Sequence, residues 1–197
     1  MSEPRLNPKY VEIISEVVNQ SPYFALLSMK IKDLEWGTAV LEVDLDEKHL
    51  QPFGYVYRGA IASVMDATAF WVVFLQVKDG MGLTTVEIKV NYLAPVQKGK
   101  LVAKGRCIKI GKTLVLGNVF INSAEGNLLA HGTATMMVVP DLKVEGQENL
   151  PPKLIKFCKW ILAAFITIIF WQELCRSLPD IRLFGSVQLH LQMLAPT

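Results

Sequence analysis

The chain has 197 residues, 51% of them hydrophobic, and a formal net charge of +2. That is enough for one domain with a sizeable core, or one domain plus an appendage, and the charge gives no nucleic-acid signal. Residues 1–150 carry 15 basic and 16 acidic side chains, whereas residues 151–197 carry 5 and 2, so a near-neutral body precedes a basic, apolar tail. Cys107, Cys158 and Cys175 are scattered and His49, His131 and His190 are isolated, so neither a metal site nor a cofactor is expected. Reduced thiols and a polar N-terminus without a signal sequence predict a cytoplasmic protein.

In chain order, "NPKYVEIISEVVNQSPYFALL" opens with an Asn-Pro helix start. Val11, Ile14, Val17 and Val18 follow at helical spacing, and Ser21-Pro22 reads as the end. "MKIKDLEWGTAVLEVDL" alternates apolar and polar around a Trp-Gly break, predicting two strands. "DEKHLQPFGYVYRG" is a loop punctuated by Pro52, Gly54 and Gly59. Gly59 to Val77 runs nineteen residues with a single charge, Asp66, and predicts a helix. Four strand-like segments follow, joined at Gln97-Lys98-Gly99, Ile110-Gly111-Lys112 and Glu125-Gly126-Asn127. Short turns between consecutive strands predict an antiparallel meander. The sum is an α+β domain with a helix packed on one face of a sheet. A sheet that needs cover, and the cost of Asp66 in a bilayer, argue against reading 59–77 as a membrane span.

A carboxylate in so apolar a stretch is paired, protonated or functional. The plain reading is a structural Asp bonded to neighbouring backbone or to Thr68. The functional reading is a base or nucleophile whose pKa burial raises. Gly59 opens the helix, and its first backbone N–H groups, on the same helix as Asp66, would hold an oxyanion.

The loop-helix "HLQPFGYVYRGAIASVMDA", the strand "TTVEIKVNYLAPVQKG" and the ending "GNLLAHGTATMMVV" resemble the hotdog-fold acyl-CoA thioesterases of the PaaI-like group, over roughly residues 7–140. The resemblance implies a hotdog fold, in which a long central helix is wrapped by an antiparallel β-sheet, working as a homodimer or a dimer of dimers. It implies an acyl-CoA substrate. It makes Asp66 the general base or nucleophile, Gln51 the residue that orients substrate or water, and the Arg58 N–H the oxyanion donor. Thr85 would be a hydroxyl supplied by the partner subunit. The chain departs from the family's usual His-Gly-Gly at Tyr57-Arg58-Gly59, and from its Asn at Gln51. Tyr57 offers a hydroxyl that would polarise the thioester carbonyl or fill the pocket. Arg58 would bind a phosphate or carboxylate, or pair with Asp66. A non-catalytic acyl-CoA binder or scaffold is the alternative these departures raise.

Phe53, Gly59, Phe70, Arg106 and Lys112 complete the candidate substrate contacts. Phe70, Trp71 and Phe74 would line an acyl tunnel, although aromatics at this spacing are more often core. The basic run from Lys98 to Lys112, Arg106 included, would suit the phosphates of coenzyme A. As a pattern it is more often a solvated strand face. Residues 1–142 are read as the domain, 143–157 as a linker and 158–197 as an extension of open role. There, Trp160 to Gln172 is thirteen uncharged residues after Lys153, Lys156 and Lys159. A helix of that length spans about 20 Å, short of the roughly 30 Å hydrocarbon core. Contact with a membrane surface, docking on the domain and an unselected extension are all open readings of it.

Overall fold

A computed structural model describes residues 4–142 and 149–155. The tail, for which contact with a membrane surface was one of three open readings, lies outside the described residues. Among the described residues no helix is long and apolar enough to cross a membrane.

The first helix, α1 (Pro8–Asn19), starts where the Asn7 side chain accepts the Lys9 N–H and Pro8 fills the first turn. It buries Tyr10 and Ile14. At its far end Asn19 Oδ1 accepts the Ile31 N–H at 2.7 Å, tying the helix to the first strand. As expected, α1 ends just before Ser21-Pro22, at Asn19. Pro22 begins a second short helix, α2 (Pro22–Leu26), because a Ser-Pro pair is also an N-terminal signal.

Six strands form one antiparallel sheet: β1 (Met29–Glu35), β2 (Thr38–Asp44), β3 (Met81–Tyr92), β4 (Lys100–Ile110), β5 (Leu114–Ser123) and β6 (Leu128–Pro140). Their order is β1-β2-β4-β5-β6-β3. The expected meander holds for β4-β5-β6 only. The chain leaves β3 at one edge and crosses to β4, which pairs with β2 and β5. The segment around Gln97-Lys98-Gly99 is therefore a crossover and not a hairpin turn.

The long helix, α3 (Arg58–Phe74), lies across one face of this sheet. Its Met65, Thr68, Ala69 and Val72 stripe is fully buried. Glycines on three adjacent strands admit it closely. A Cβ at Gly105 would meet Thr68 and Val72, one at Gly117 would meet Ala69, and one at Gly132 would meet Met65. The core beneath is filled by Leu41, Leu101, Val119, Ile121 and Met136. The helix is not buried all round. Ala62, Ser63, Asp66, Ala67 and Phe70 form a half-exposed stripe.

Part of the stretch expected as a linker instead belongs to this unit, which extends to Ile155. Leu154 bridges to Leu6, the Asn7 N–H donates to the Lys153 carbonyl, and the Ile155 N–H donates to the Arg5 carbonyl. Lys153, 4% exposed, donates to the Phe74 and Val77 carbonyls at the end of α3, at 3.1 and 3.0 Å. A cation there suits the negative end of the helix dipole.

Tyr10 and Lys153 both feel Asp79. Burial, with Asp79 second, pushes the Tyr10 phenol up from 10.0 to about 12. The folded chain thus holds this proton more tightly than the unfolded chain, and stability falls as pH rises from about 10 to about 12. Burial pushes Lys153 down against the pull of Asp79, which acts in the opposite sense just below its ordinary 10.5. Among the described residues the Tyr10 hydroxyl has no hydrogen-bond partner. Tyr10→Phe should therefore be neutral or stabilising at pH 7 and should flatten the alkaline loss. Urea denaturation at pH 7 and pH 11 checks this, and an unchanged alkaline slope would refute it.

Candidate functional site

The loop before α3 is built around His49. This residue is 2% exposed. The Asp46 N–H donates to its Nδ1 at 2.9 Å, so the ring proton sits on Nε2, which donates to the Leu27 carbonyl at 2.9 Å. The His49 carbonyl then accepts the Tyr57 N–H at 2.7 Å. Between these points the loop turns back on itself. Leu50 bridges to Val56, Gly54 takes φ +77°, and the Val56 N–H reaches the crossover carbonyl of Val96. A histidine that looked isolated in sequence therefore fixes where α3 begins.

Tyr57 is the N-cap residue, extended, and its side chain makes no capping bond. Arg58 and Gly59 are exposed residues, and their N–H groups are among those with no intrahelical partner at the positive end of the dipole. The Tyr57 ring lies beside Gly59, where a Cβ would fall 2.9 Å from it. Arg58 does not pair with Asp66. Its guanidinium sits 4.8 Å over the Tyr92 ring, and the Tyr92 hydroxyl donates to the Arg58 carbonyl at 3.2 Å.

Asp66 is half-buried, not enclosed. Its Oδ1 accepts the Thr85 hydroxyl at 2.8 Å. The hydroxyl expected from a partner subunit thus reaches the acid of its own chain. A β-bulge makes this possible. Thr85 pairs with Met136 and Glu87 with Thr135, leaving Val86 unpaired. Met136 faces the core, so Thr85 points to the helix side, and so does Ile88 beyond the bulge, opposite Ala134. Strict alternation would have turned one of them away.

A pocket of about 370 Å³ opens beside the acid, lined by Tyr23, Phe24, Met29, Ser63, Asp66, Ala67, Phe70 and Trp71. Phe70 is half-exposed and reaches this pocket, stacked on Phe74 at 5.1 Å. Phe74, 1% exposed, is core. The aromatic run thus divides between the two readings.

Other expected contacts are not brought to Asp66. Arg106 is exposed next to Gly105, which faces the helix, so Arg106 stands on the opposite face of the sheet. Lys112 lies exposed in the β4–β5 turn. Phe53, 81% exposed, tips the loop. Gln51 is half-buried in that loop, its N–H bonded to the Tyr55 carbonyl. Tyr23 and Ser63 were missed as site residues. The Ser-Pro signal for α2 would have raised Tyr23, and spacing one helical turn before Asp66 would have raised Ser63.

The helix start and Asp66 stand eight residues apart, on the order of 12 Å along the axis. An oxyanion donor must lie within about 3 Å of the reacting oxygen. One carbonyl therefore cannot use both groups of the same helix, contrary to the expectation from sequence.

Residues 53–130 match the family model described as the Thioesterase superfamily. A putative esterase of Saccharolobus solfataricus is 28% identical over 130 residues, covering 66% of this chain and 92% of its own length. The 1,4-dihydroxy-2-naphthoyl-CoA hydrolase of Listeria monocytogenes is 28% identical over 112 residues, covering 57% and 91%. Among solved structures, a thioesterase from Haemophilus influenzae matches with a TM-score of 0.65 at 20% identity, covering 72% of this chain and 98% of that one. Over residues 53–130 the chain is similar to the thioesterase superfamily, and its helix and six-stranded sheet share the architecture of that solved thioesterase, the hotdog fold.

Proposed function

We propose that the protein hydrolyses an acyl-CoA thioester to a carboxylic acid and coenzyme A, in a site built from two copies of the chain. The observation that carries this is the Asp66–Thr85 pair at the edge of an apolar pocket. The coenzyme A part is supported by the name of the Listeria relative. With Thr85 holding Oδ1, the second carboxylate oxygen is free to take a proton from water as it attacks the carbonyl carbon. The tetrahedral oxyanion would be held by the Arg58 N–H of the other copy, since that of the same copy is too far away. Collapse breaks the C–S bond, and Asp66 returns the proton to the leaving thiolate. Direct attack by Asp66 is the variant of the same arrangement. Gln51, on the loop that sets the helix start, would orient the water or the thioester.

The exposed edge of β3, the strand that carries Thr85, is where a second copy would pair. The two-copy site has a direct test. Arg58→Pro deletes the donor while suiting the first helical position, and Tyr57 already has the extended backbone a following proline needs. Arg58→Pro and Asp66→Asn should each lose turnover. Mixed and reassociated at equal ratio, they should recover about a quarter of wild-type activity, because half the dimers are mixed and each has one intact site. No recovery from reassociated dimers would refute the shared site. Absence of hydrolysis by wild type over short, long and aryl acyl-CoAs would refute the activity.

A further inference from the structure

The hydroxyl pair at the open edge of the pocket takes its direction from the bond Ser63 makes to the helix backbone. Ser63 Oγ lies 2.9 Å from the Gly59 carbonyl, which can only accept, so the one Ser63 proton is spent there. Tyr23 Oη lies 2.8 Å from Ser63 Oγ. With the serine proton committed, Tyr23 must be the donor of that bond. Its own proton is then also committed, and the phenolic oxygen meets the pocket as an acceptor alone.

Ser63 precedes Asp66 by one helical turn, which puts their Cβ atoms roughly 5–6 Å apart. Tyr23, Ser63 and Asp66 line the same pocket, and the rest of the wall is apolar: Phe24, Met29, Ala67, Phe70 and Trp71. A thioester carbonyl placed over Asp66, at about 3–3.5 Å from the attacking atom, would bring the first few acyl carbons past the Tyr23 oxygen. We propose that Tyr23 is a specificity-determining residue that selects apolar acyl groups carrying a hydroxyl close to the carbonyl, at the third carbon. A hydroxyl there donates to the waiting oxygen. A carbonyl at the same carbon meets a lone pair with a lone pair, and an unsubstituted chain offers the oxygen nothing in place of the water that reaches Tyr23, which is 55% exposed. This inference rests on the thioesterase reading for its substrate and on the hydroxyl geometry for its selectivity.

The test compares octanoyl-CoA, 3-hydroxyoctanoyl-CoA and 3-oxooctanoyl-CoA with the full chain and two variants. Wild type should favour the hydroxylated thioester over octanoyl-CoA by about fivefold to tenfold in kcat/KM, the worth of one neutral hydrogen bond. Tyr23→Phe should bring that ratio close to one. Ser63→Ala frees the tyrosine proton to point into the pocket, so the ratio of 3-oxooctanoyl-CoA to octanoyl-CoA should rise severalfold. A merely structural role for the pair would change all three substrates alike and leave the ratios where they were, which would overturn the proposal. If wild type turns over none of them, the thioesterase reading fails, and calorimetric Kd values for the same three ligands decide the selectivity separately. A preference for the hydroxylated ligand that Tyr23→Phe abolishes would uphold it, and equal Kd values or no binding would overturn it.

Discussion

Asp66→Asn is expected to lower kcat for acyl-CoA hydrolysis by on the order of 10²- to 10⁴-fold, the range for loss of a positioned general base. Asn has nearly the same shape, and its side-chain oxygen still accepts the Thr85 hydroxyl that meets Oδ1 at 2.8 Å. The residue is half-buried at a pocket rim, not packed in the core, so the melting temperature should stay near wild type. What is lost is the ability to take a proton. Thr85→Val should act more weakly, by roughly tenfold, because it removes the hydrogen bond that orients the carboxylate and leaves the carboxylate itself. Release of free coenzyme A thiol gives kcat for all three proteins. Full turnover by Asp66→Asn would remove the acid from the mechanism, and an equal loss in both variants would make Thr85 more than an orienting group.

Gly132→Ala is expected to be the most damaging small substitution in the domain. A Cβ there would strike the Lys89 carbonyl oxygen of β3 and the Met65 sulfur of α3. Met65 sits in a buried position, and the carbonyl is backbone, so neither can swing aside cheaply. The cost should be about 3 kcal/mol, the upper end for overpacking a core, or roughly 6–12 °C in melting temperature for a chain of this size. Among the described residues the edge strand β3 pairs with β6 alone, so it is the element most able to give way, and it carries Thr85. Hydrolysis should fall with stability. Gly117→Ala on the neighbouring strand is the comparison, because its Cβ would meet Ala69 at 3.3 Å, a contact that a small shift absorbs. Equal melting temperatures for the two variants would refute this account of the helix–sheet contact.

Much of the fold was legible as pattern. Nineteen residues with one charge had to be a helix that something covers. Alternation in six segments had to be a sheet, and the glycines of "CIKIGK", "NSAEGN" and "AHGTA" mark turns and close approaches that any larger residue would spoil. The candidate acid was legible for the same reason, as a charge inside an apolar period. The loop-helix and strand motifs carried the resemblance, and residues 53–130 match the thioesterase superfamily model.

Partners in space were not legible. Alternation in "LTTVEIKV" marks two faces but not the bulge at Val86 that sets Thr85 and Ile88 on the same one. Nor does it show that β3 crosses to the far edge beside β6, since strand order depends on pairing over long separations. His49 read as an isolated histidine and Lys153 as part of the basic flank of the tail, until burial and hydrogen bonds made one a loop anchor and the other a cap on α3. The basic run invited a coenzyme A contact at Arg106, but the inward Gly105 turns that side chain to the other face.

The sequence by itself determined most of the element types, the apolar faces and the candidate acid, because these follow from local periodicity and from the cost of placing charge among hydrocarbon. Only the tertiary structure decided what stands beside that acid. Register, bulges and crossovers are settled by the packing of distant segments, and they bring Thr85, Tyr23 and Ser63 to one pocket around Asp66 while leaving the helix start about two turns out of its reach.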